Sequence, residues 1–171
     1  MTVGRKEVRS TIADFIGTPS VDGINQVFTS FPKRINFEVN ALPSQRSRCA
    51  AVIFIESERE NRLAMGGATN GIKKVDYQVA IQLFHHSLEL NAEDAMADFD
   101  NVIDNLKYRL RSNHQFGDTS GVLVWQSAEP VIEVSYGEPT SSNGTATETW
   151  AVVRFDVTQI DRKSTRLNSS H

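Results

Sequence analysis

Hydrophobic and polar residues follow helical spacing in two segments of this chain and alternate as in strands in several others. Near the N-terminus, apolar residues recur on one helix face and predict a helix over residues 4–16. Its apolar stripe consists of Val8, Ile12, Phe15 and Ile16. A longer stripe predicts a second helix over residues 92–111. That stripe consists of Ala95, Met96, Phe99, Val102, Ile103, Leu106 and Leu110.

Two strands between these helices carry the clearest patterns. Residues 50–58 begin with an uninterrupted apolar run, which indicates a strand covered on both faces, within this chain or by a neighbouring subunit. Residues 75–88 alternate apolar and polar side chains, as in an antiparallel sheet with one wet face. Together they predict a hairpin. The loop that joins the two strands is long, and loops of this length are usually functional or disordered. Further strands are predicted over residues 35–39, 122–126, 131–136 and 148–158.

The order of these elements predicts an α+β fold, with a mostly antiparallel sheet, two helices packed on one face and a long protruding β-hairpin. We expect one domain over residues 1–160. Residues 161–171 lack periodicity and resemble the in-frame translation of a sequencing adapter, so we expect a non-native, disordered tail there. Without that tail the chain has 15 basic residues (18 minus 3) and 20 acidic residues (21 minus 1), a net charge of −5. This balance argues against a general nucleic-acid binder.

Residue types that carry chemistry are present, but their spacing does not match a known catalytic or metal site. The glycine-rich residues 66–74 lack the lysine that a phosphate loop places directly after its second glycine. His85 and His86 are neighbours in a predicted strand, so they point to opposite faces and cannot chelate one metal together. Cys49, the single cysteine, begins a buried strand and is expected to be a small core residue. We therefore expect no enzyme activity, no cofactor and no metal.

Exposed positive charge is the remaining candidate for function. The candidate interaction residues are Lys33, Arg34, Arg59, Arg62, Lys73 and Lys74, together with Gly66 and Gly67 of the hairpin loop. Acidic residues alternate with the basic ones along the hairpin, and mixed charge suits a protein–protein contact better than a DNA groove. The alternative is that the charged hairpin loop only faces solvent and binds no partner. No apolar run approaches the ~20 residues that span a bilayer, so we expect no membrane contact.

The chain resembles the tail terminator proteins of long-tailed bacteriophages, particularly those of phages that infect actinobacteria. The resemblance covers residues 1–160. It rests on the first helix, the hairpin with its two adjacent glycines, the closing strand at residues 150–157, and three runs. These runs are Val27-Phe-Thr-Ser-Phe-Pro-Lys-Arg-Ile35, Tyr77-Gln-Val-Ala-Ile-Gln-Leu-Phe84 and Phe99-Asp-Asn-Val-Ile-Asp-Asn-Leu106.

This resemblance implies a structural virion protein that assembles in the host cytoplasm as a hexameric ring of identical subunits. Such a ring caps the tail tube, stops polymerisation of the tail tube protein and joins the tail to the head–tail connector protein. DNA passes through its lumen without specific binding. Three alternatives remain open: another neck or head-completion protein, the tail tube protein itself, and a small-molecule-binding α+β domain.

Overall fold

The computed structural model describes residues 4–62, 72–117, 123–125, 131–142 and 146–162. Within these ranges the chain forms two helices and seven strands. The helices are α1 (Arg5–Gly17) and α2 (Ala92–Arg111). The strands are β1 (Ile24–Phe28), β2 (Ser47–Arg62), β3 (Ile72–Ser87), β4 (Leu123–Trp125), β5 (Glu133–Tyr136), β6 (Thr140–Ser142) and β7 (Ala146–Arg162). Both predicted helices are confirmed, and the bounds of α2 are the predicted ones.

All seven strands belong to one sheet. Strands β1, β2, β3 and β7 lie side by side, and β4, β5 and β6 pair in turn with β7. The β1–β2 pair is parallel and every other pair is antiparallel. The predicted α+β class with a mostly antiparallel sheet is therefore confirmed.

Both helices pack on the same face of the sheet, as predicted. Val8, Ile12 and Ile16 of α1 share one hydrophobic core with Phe99 and Leu106 of α2. The strands add alternate residues to that core, since successive side chains of a strand point to opposite faces. These strand residues include Cys49, Ala51, Ile53, Val79, Ile81, Leu83, Ala151, Val153 and Phe155. We call this side of the sheet the helix face and the other side the outer face.

Strand β2 is covered on both faces by the chain itself. Residues 49–53 are completely buried, including Ala50 and Val52 on the outer face. The predicted double coverage is thus confirmed, and no neighbouring subunit is needed to supply it. Of the two alternatives left open by the sequence, coverage within this chain is therefore the one observed.

A protruding hairpin is not confirmed. Strand β7 pairs with β3 along the whole length of β3, from Ser87 opposite Thr147 to Ile72 opposite Arg162. The distal half of the hairpin is therefore part of a three-stranded ribbon, and its loop at residues 63–71 lies outside the described residues. We refer to residues 57–62, 73–78 and 156–160 as the distal ribbon.

Several predicted boundaries change. Residues 35–39 are not a strand; the strand in this part of the chain is β1, which was not predicted. Asn36 instead forms a turn in which its Oδ1 accepts a hydrogen bond from the Glu38 backbone N–H at 3.1 Å. Strand β7 continues through residues 161 and 162, which were expected to be disordered. Residues 163–171, the remainder of the expected tail, lie outside the described residues.

Candidate interaction surfaces

A β-bulge in β2 decides which charged residues share a face of the distal ribbon. The pairing shifts after Ile55, so that Ser57 pairs with Gln78 and Glu56 is left without an opposite residue. A bulge of this kind exchanges the two faces of the strand beyond it. Glu58 therefore points to the helix face, where its carboxylate lies 3.1 Å from Arg5 Nε of α1.

The bulged residue Glu56 forms a contact that the sequence did not reveal. Its two carboxylate oxygens lie 3.0 and 3.1 Å from Nε of Arg154, on the outer face of β7. The Arg154 Nη1 also donates to Ser135 Oγ of β5 at 3.0 Å. These contacts join three strands across the outer face and hold the Arg154 side chain in place.

The four basic residues of the hairpin are divided between the two faces of the distal ribbon. Arg62 and Lys73 are directly opposite each other on the helix face. Arg59 and Lys74 lie on the outer face, where Arg59 is opposite Asp76. The structure thus brings the predicted residues to one end of the sheet but does not gather them into one patch. Gly66 and Gly67 lie outside the described residues.

A carboxylate lies beside each of the two lysines. Lys73 Nζ lies 3.1 Å from Glu60, and Lys74 Nζ lies 3.6 Å from Asp76. The Asp76 carboxylate also accepts a hydrogen bond from Thr158 Oγ1 at 2.7 Å. Partial burial, with the nearby Asp76 carboxylate as the second cause, raises the pKa of Asp156. The distal ribbon therefore carries mixed charge, as predicted from the sequence.

Lys33 and Arg34 lie elsewhere, on a segment that crosses the outer face. The Phe31 ring packs on Phe54 of β2, with ring centroids 5.2 Å apart. The Phe37 ring stacks on His86 of β3 at 5.0 Å. Residues 31–37, which we call the outer-face segment, are held between these two contacts. Lys33 and Arg34 are exposed in the middle of this segment.

The outer face carries two exposed aromatic residues, one of them at the start of the outer-face segment. Phe31 is 56% exposed, and Trp150 of β7 is 43% exposed beside its cross-strand neighbour Phe84. No second layer of helices covers this face in the described part of the chain. Sequence reasoning missed this surface, although Phe84 and Trp150 are large aromatic residues at positions that are mostly polar in their strands. Their presence there is the signal that could have revealed it.

The exposed side of α2 has the opposite charge. One stripe at helical spacing consists of Glu93, Ala97, Asp100, Asp104 and Tyr108, which we call the helix stripe. Tyr108 is 78% exposed. Residues 92–106 contain five acidic residues and no basic one. Lys107 contacts Asp104 at 3.7 Å near the C-terminal end of α2.

A polar cleft of about 300 Å³ opens beside the first turns of α2. Asp98 accepts a hydrogen bond from Ser47 Oγ at 2.6 Å, and Ser47 Oγ is 2.9 Å from Ser87 Oγ. Asn101 and Glu89 also line the cleft. Two of its lining side chains, Ser47 and Asp98, are thus bonded to each other.

The candidate nucleophile Cys49 is buried, and the two adjacent histidines are stacked on phenylalanine rings. Cys49 is completely buried, and burial raises the pKa of its thiol well above the usual range. His85 and His86 point to opposite faces, as predicted: His85 stacks on Phe99 of α2 and His86 on Phe37. Among the described residues, His, Cys, Asp and Glu form no cluster of three or more that could hold a metal ion. Neither described helix is long and apolar enough to cross a membrane.

Neither a protein-family model nor a curated protein matches the sequence. Among solved structures, the chain is similar to a chain of a particle described as "Virion of native gene transfer agent (GTA) particle". That similarity has a TM-score of 0.26 and 11% sequence identity, and it covers 86% of this chain and 84% of the other. A TM-score of this size is too low to establish a shared fold.

Proposed function

We propose that this protein is a tail terminator of a long-tailed bacteriophage. In this role, copies of the chain form a hexameric ring on the end of the tail tube. The ring stops addition of further tube protein and then offers its other side to the head–tail connector protein. The protein acts in the virion through its surfaces, and its role requires no catalytic step.

The observation that carries this proposal is the outer face of the sheet, with its exposed aromatic residues and its basic segment. Contiguous exposed apolar surface rimmed by polar groups is typical of protein interaction sites. Phe31 and Trp150 are the exposed aromatic residues of this face. The sequence resemblance at residues 27–35, which includes residues 31–35 of this segment, supports the same role.

The distal ribbon supplies a second contact surface in this proposal, directed at the tail tube protein. Its alternating charges suit a contact in which register is fixed by paired charges. Arg59 and Arg62 are exposed on opposite faces of the ribbon. The net negative charge of the chain disfavours tight DNA binding, so the genome passes through the lumen without being retained.

The test combines imaging with control of tube length. Negative-stain electron microscopy of the purified protein should show closed annuli, and adding them to polymerising tail tube protein should shorten the tubes. Long tubes formed by this protein alone would identify it as a tube protein. Annuli that leave tube length unchanged would favour another neck component.

A charge-reversal pair tests the distal ribbon. Arg59→Glu with Arg62→Glu should leave folding and ring formation intact but abolish the shortening of tubes. The matched control, Lys6→Glu with Arg46→Glu, makes the same change in net charge at exposed positions outside the ribbon and should shorten tubes as the wild type does. Equal activity of both pairs would contradict the role of the ribbon.

A further inference from the structure

We propose that the outer face of the sheet binds the helix stripe of a second copy of this chain. The inference rests on the proposed function in one respect, namely that copies of the chain assemble. It goes beyond the proposed function because it names the two surfaces that form the contact between copies. The argument depends on their charge, their exposed aromatic residues and their positions on opposite sides of one sheet.

The two surfaces have complementary charge. The outer-face segment presents Lys33 and Arg34 to solvent and contains no acidic residue. Glu38, which follows it directly, is paired with Arg48 at 2.7 Å. The helix stripe presents Asp100 and Asp104, and Asp104 stays largely exposed although Lys107 lies 3.7 Å from it. Complementary potentials of this kind select a partner and fix its register.

Each surface also exposes aromatic area. Trp150 and Phe31 lie on the outer face, and Tyr108 lies on the helix stripe with most of its side chain in solvent. Tyrosine and tryptophan are enriched among the residues that carry binding energy in interfaces. An interface between these surfaces would bury these aromatic residues together with the paired charges.

The geometry prevents the two surfaces of one chain from meeting. The helix stripe faces away from the sheet, since the opposite side of α2, with Phe99 and Leu106, is buried against the sheet. The outer-face segment is fixed to the other side of the same sheet through Phe54 and His86. The sheet therefore separates the two surfaces, and only another copy can bring them together.

This arrangement sets the symmetry of the assembly. A contact between two different surfaces is head-to-tail, and in a pair of copies it leaves the helix stripe of one copy and the outer face of the other unused. Such a contact generates a closed ring when its rotation closes and an open filament when it does not. A ring is thus the form in which both surfaces of every copy are buried.

A charge exchange between two variants tests the inference. The first variant carries Lys33→Glu and Arg34→Glu; the second carries Asp100→Lys and Asp104→Lys. Each alone places like charges at every contact, so we expect at least a roughly tenfold loss of self-affinity in analytical ultracentrifugation. In an equimolar mixture every contact pairs opposite charges again, and the wild-type sedimentation coefficient should return.

The mixture also separates loss of binding from loss of folding, because a misfolded variant cannot be rescued by its partner. A control with Lys6→Glu and Glu7→Lys changes two exposed residues of α1 and should assemble as the wild type does. Wild-type assembly with no effect of either variant would overturn the inference and leave the proposed function standing. Variants that both lose assembly and stay monomeric when mixed would also overturn it.

Two further outcomes distinguish the inference from the proposed function. Restored rings that fail to shorten tubes would support the pairing of these surfaces and contradict the tail terminator role. A wild-type protein that stays monomeric and binds only the tail tube protein would overturn the inference, because the outer face would then belong to a different partner.

Discussion

The imidazole of His85 stacks on the ring of Phe99, with ring centroids 4.7 Å apart and 24° between their planes. His85 is 1% exposed, and neither of its ring nitrogens has a hydrogen-bond partner among the described residues. The contact joins β3 to α2 in the core. It places a titratable group where its charged form is strongly disfavoured.

We expect the buried imidazole of His85 to lower the free energy of unfolding in mild acid. Burial, opposed by Asp98 and assisted by His86, lowers the pKa of His85 from 6.5 to about 4. Between these values the unfolded chain binds more protons than the folded one, so the free energy of unfolding falls as the pH falls. The decrease from pH 7 to pH 4 should reach up to about 3 kcal/mol, measured by urea denaturation at a series of pH values.

The variant His85→Leu removes this titration and should flatten the pH dependence over that range. His86→Gln is the matched control, since it leaves the buried imidazole in place and should retain the loss of stability in acid. Asp156 cannot cause the same loss of stability. Because its pKa is raised in the folded protein, Asp156 increases the free energy of unfolding as the pH falls. An unchanged pH dependence in His85→Leu would contradict the assignment.

The variant Phe99→Ala should destabilise the fold through a core cavity. Phe99 is completely buried between α2 and the sheet. Truncation of a buried phenylalanine costs about 3–5 kcal/mol, a large part of the stability of a domain of this size. Tyr108→Ala removes an exposed ring from the other side of the same helix and should change the melting temperature little. Equal melting of the two variants would show that Phe99 does not lie in the core.

Long periodic elements could be predicted from the sequence because their patterns report burial directly. The bounds of α2 follow from one apolar stripe over several turns, and the hairpin follows from strict alternation in β3. The buried side of α2 was therefore predictable almost residue by residue, and only Met96 of the predicted stripe is partly exposed. The separation of His85 from His86 was predictable for the same reason, since side chains alternate along a strand.

The outer face was less predictable because it depends on tertiary contacts. Strand β1 is an edge strand of five residues, and its amide side chains are bonded to the following loop: Asn25 Nδ2 donates to Gln45 Oε1 at 3.0 Å, and Gln26 Nε2 to the Asn36 carbonyl at 2.7 Å. The bulge at Glu56 moves Glu58 to the helix face without any glycine or proline to mark it. Local residue preferences do not determine such long-range pairings, so they could not be predicted from the sequence.

Native Cys49 should resist alkylation. Its thiol is completely buried, and burial raises its pKa above the usual range, so the reactive thiolate does not form in the folded protein. Iodoacetamide at pH 8 should modify the protein slowly in buffer and rapidly in denaturant, as measured by intact mass. Fast modification under native conditions would show that β2 opens readily or that the thiol is accessible.

Gly137 and Trp150 offer a test of packing on the outer face. The Gly137 backbone N–H donates to the Trp150 carbonyl at 2.8 Å, and a Cβ on Gly137 would lie 2.1 Å from Cε2 of the indole. Gly137→Ala should therefore displace the indole and cost about 1–3 kcal/mol. In a double-mutant cycle, adding Trp150→Ala should recover part of this cost, because the obstacle is a side chain.

Gly23 provides the contrasting case for this cycle. A Cβ there would lie 2.4 Å from Cγ2 of Val102, but the Gly23 backbone also has φ +93°, a conformation that disfavours any side chain. Gly23→Ala should therefore stay destabilised when Val102→Ala is added, since the backbone strain persists. If Trp150→Ala gave no recovery in Gly137→Ala, the indole would not pack on Gly137, and the aromatic surface of the outer face would have a different shape.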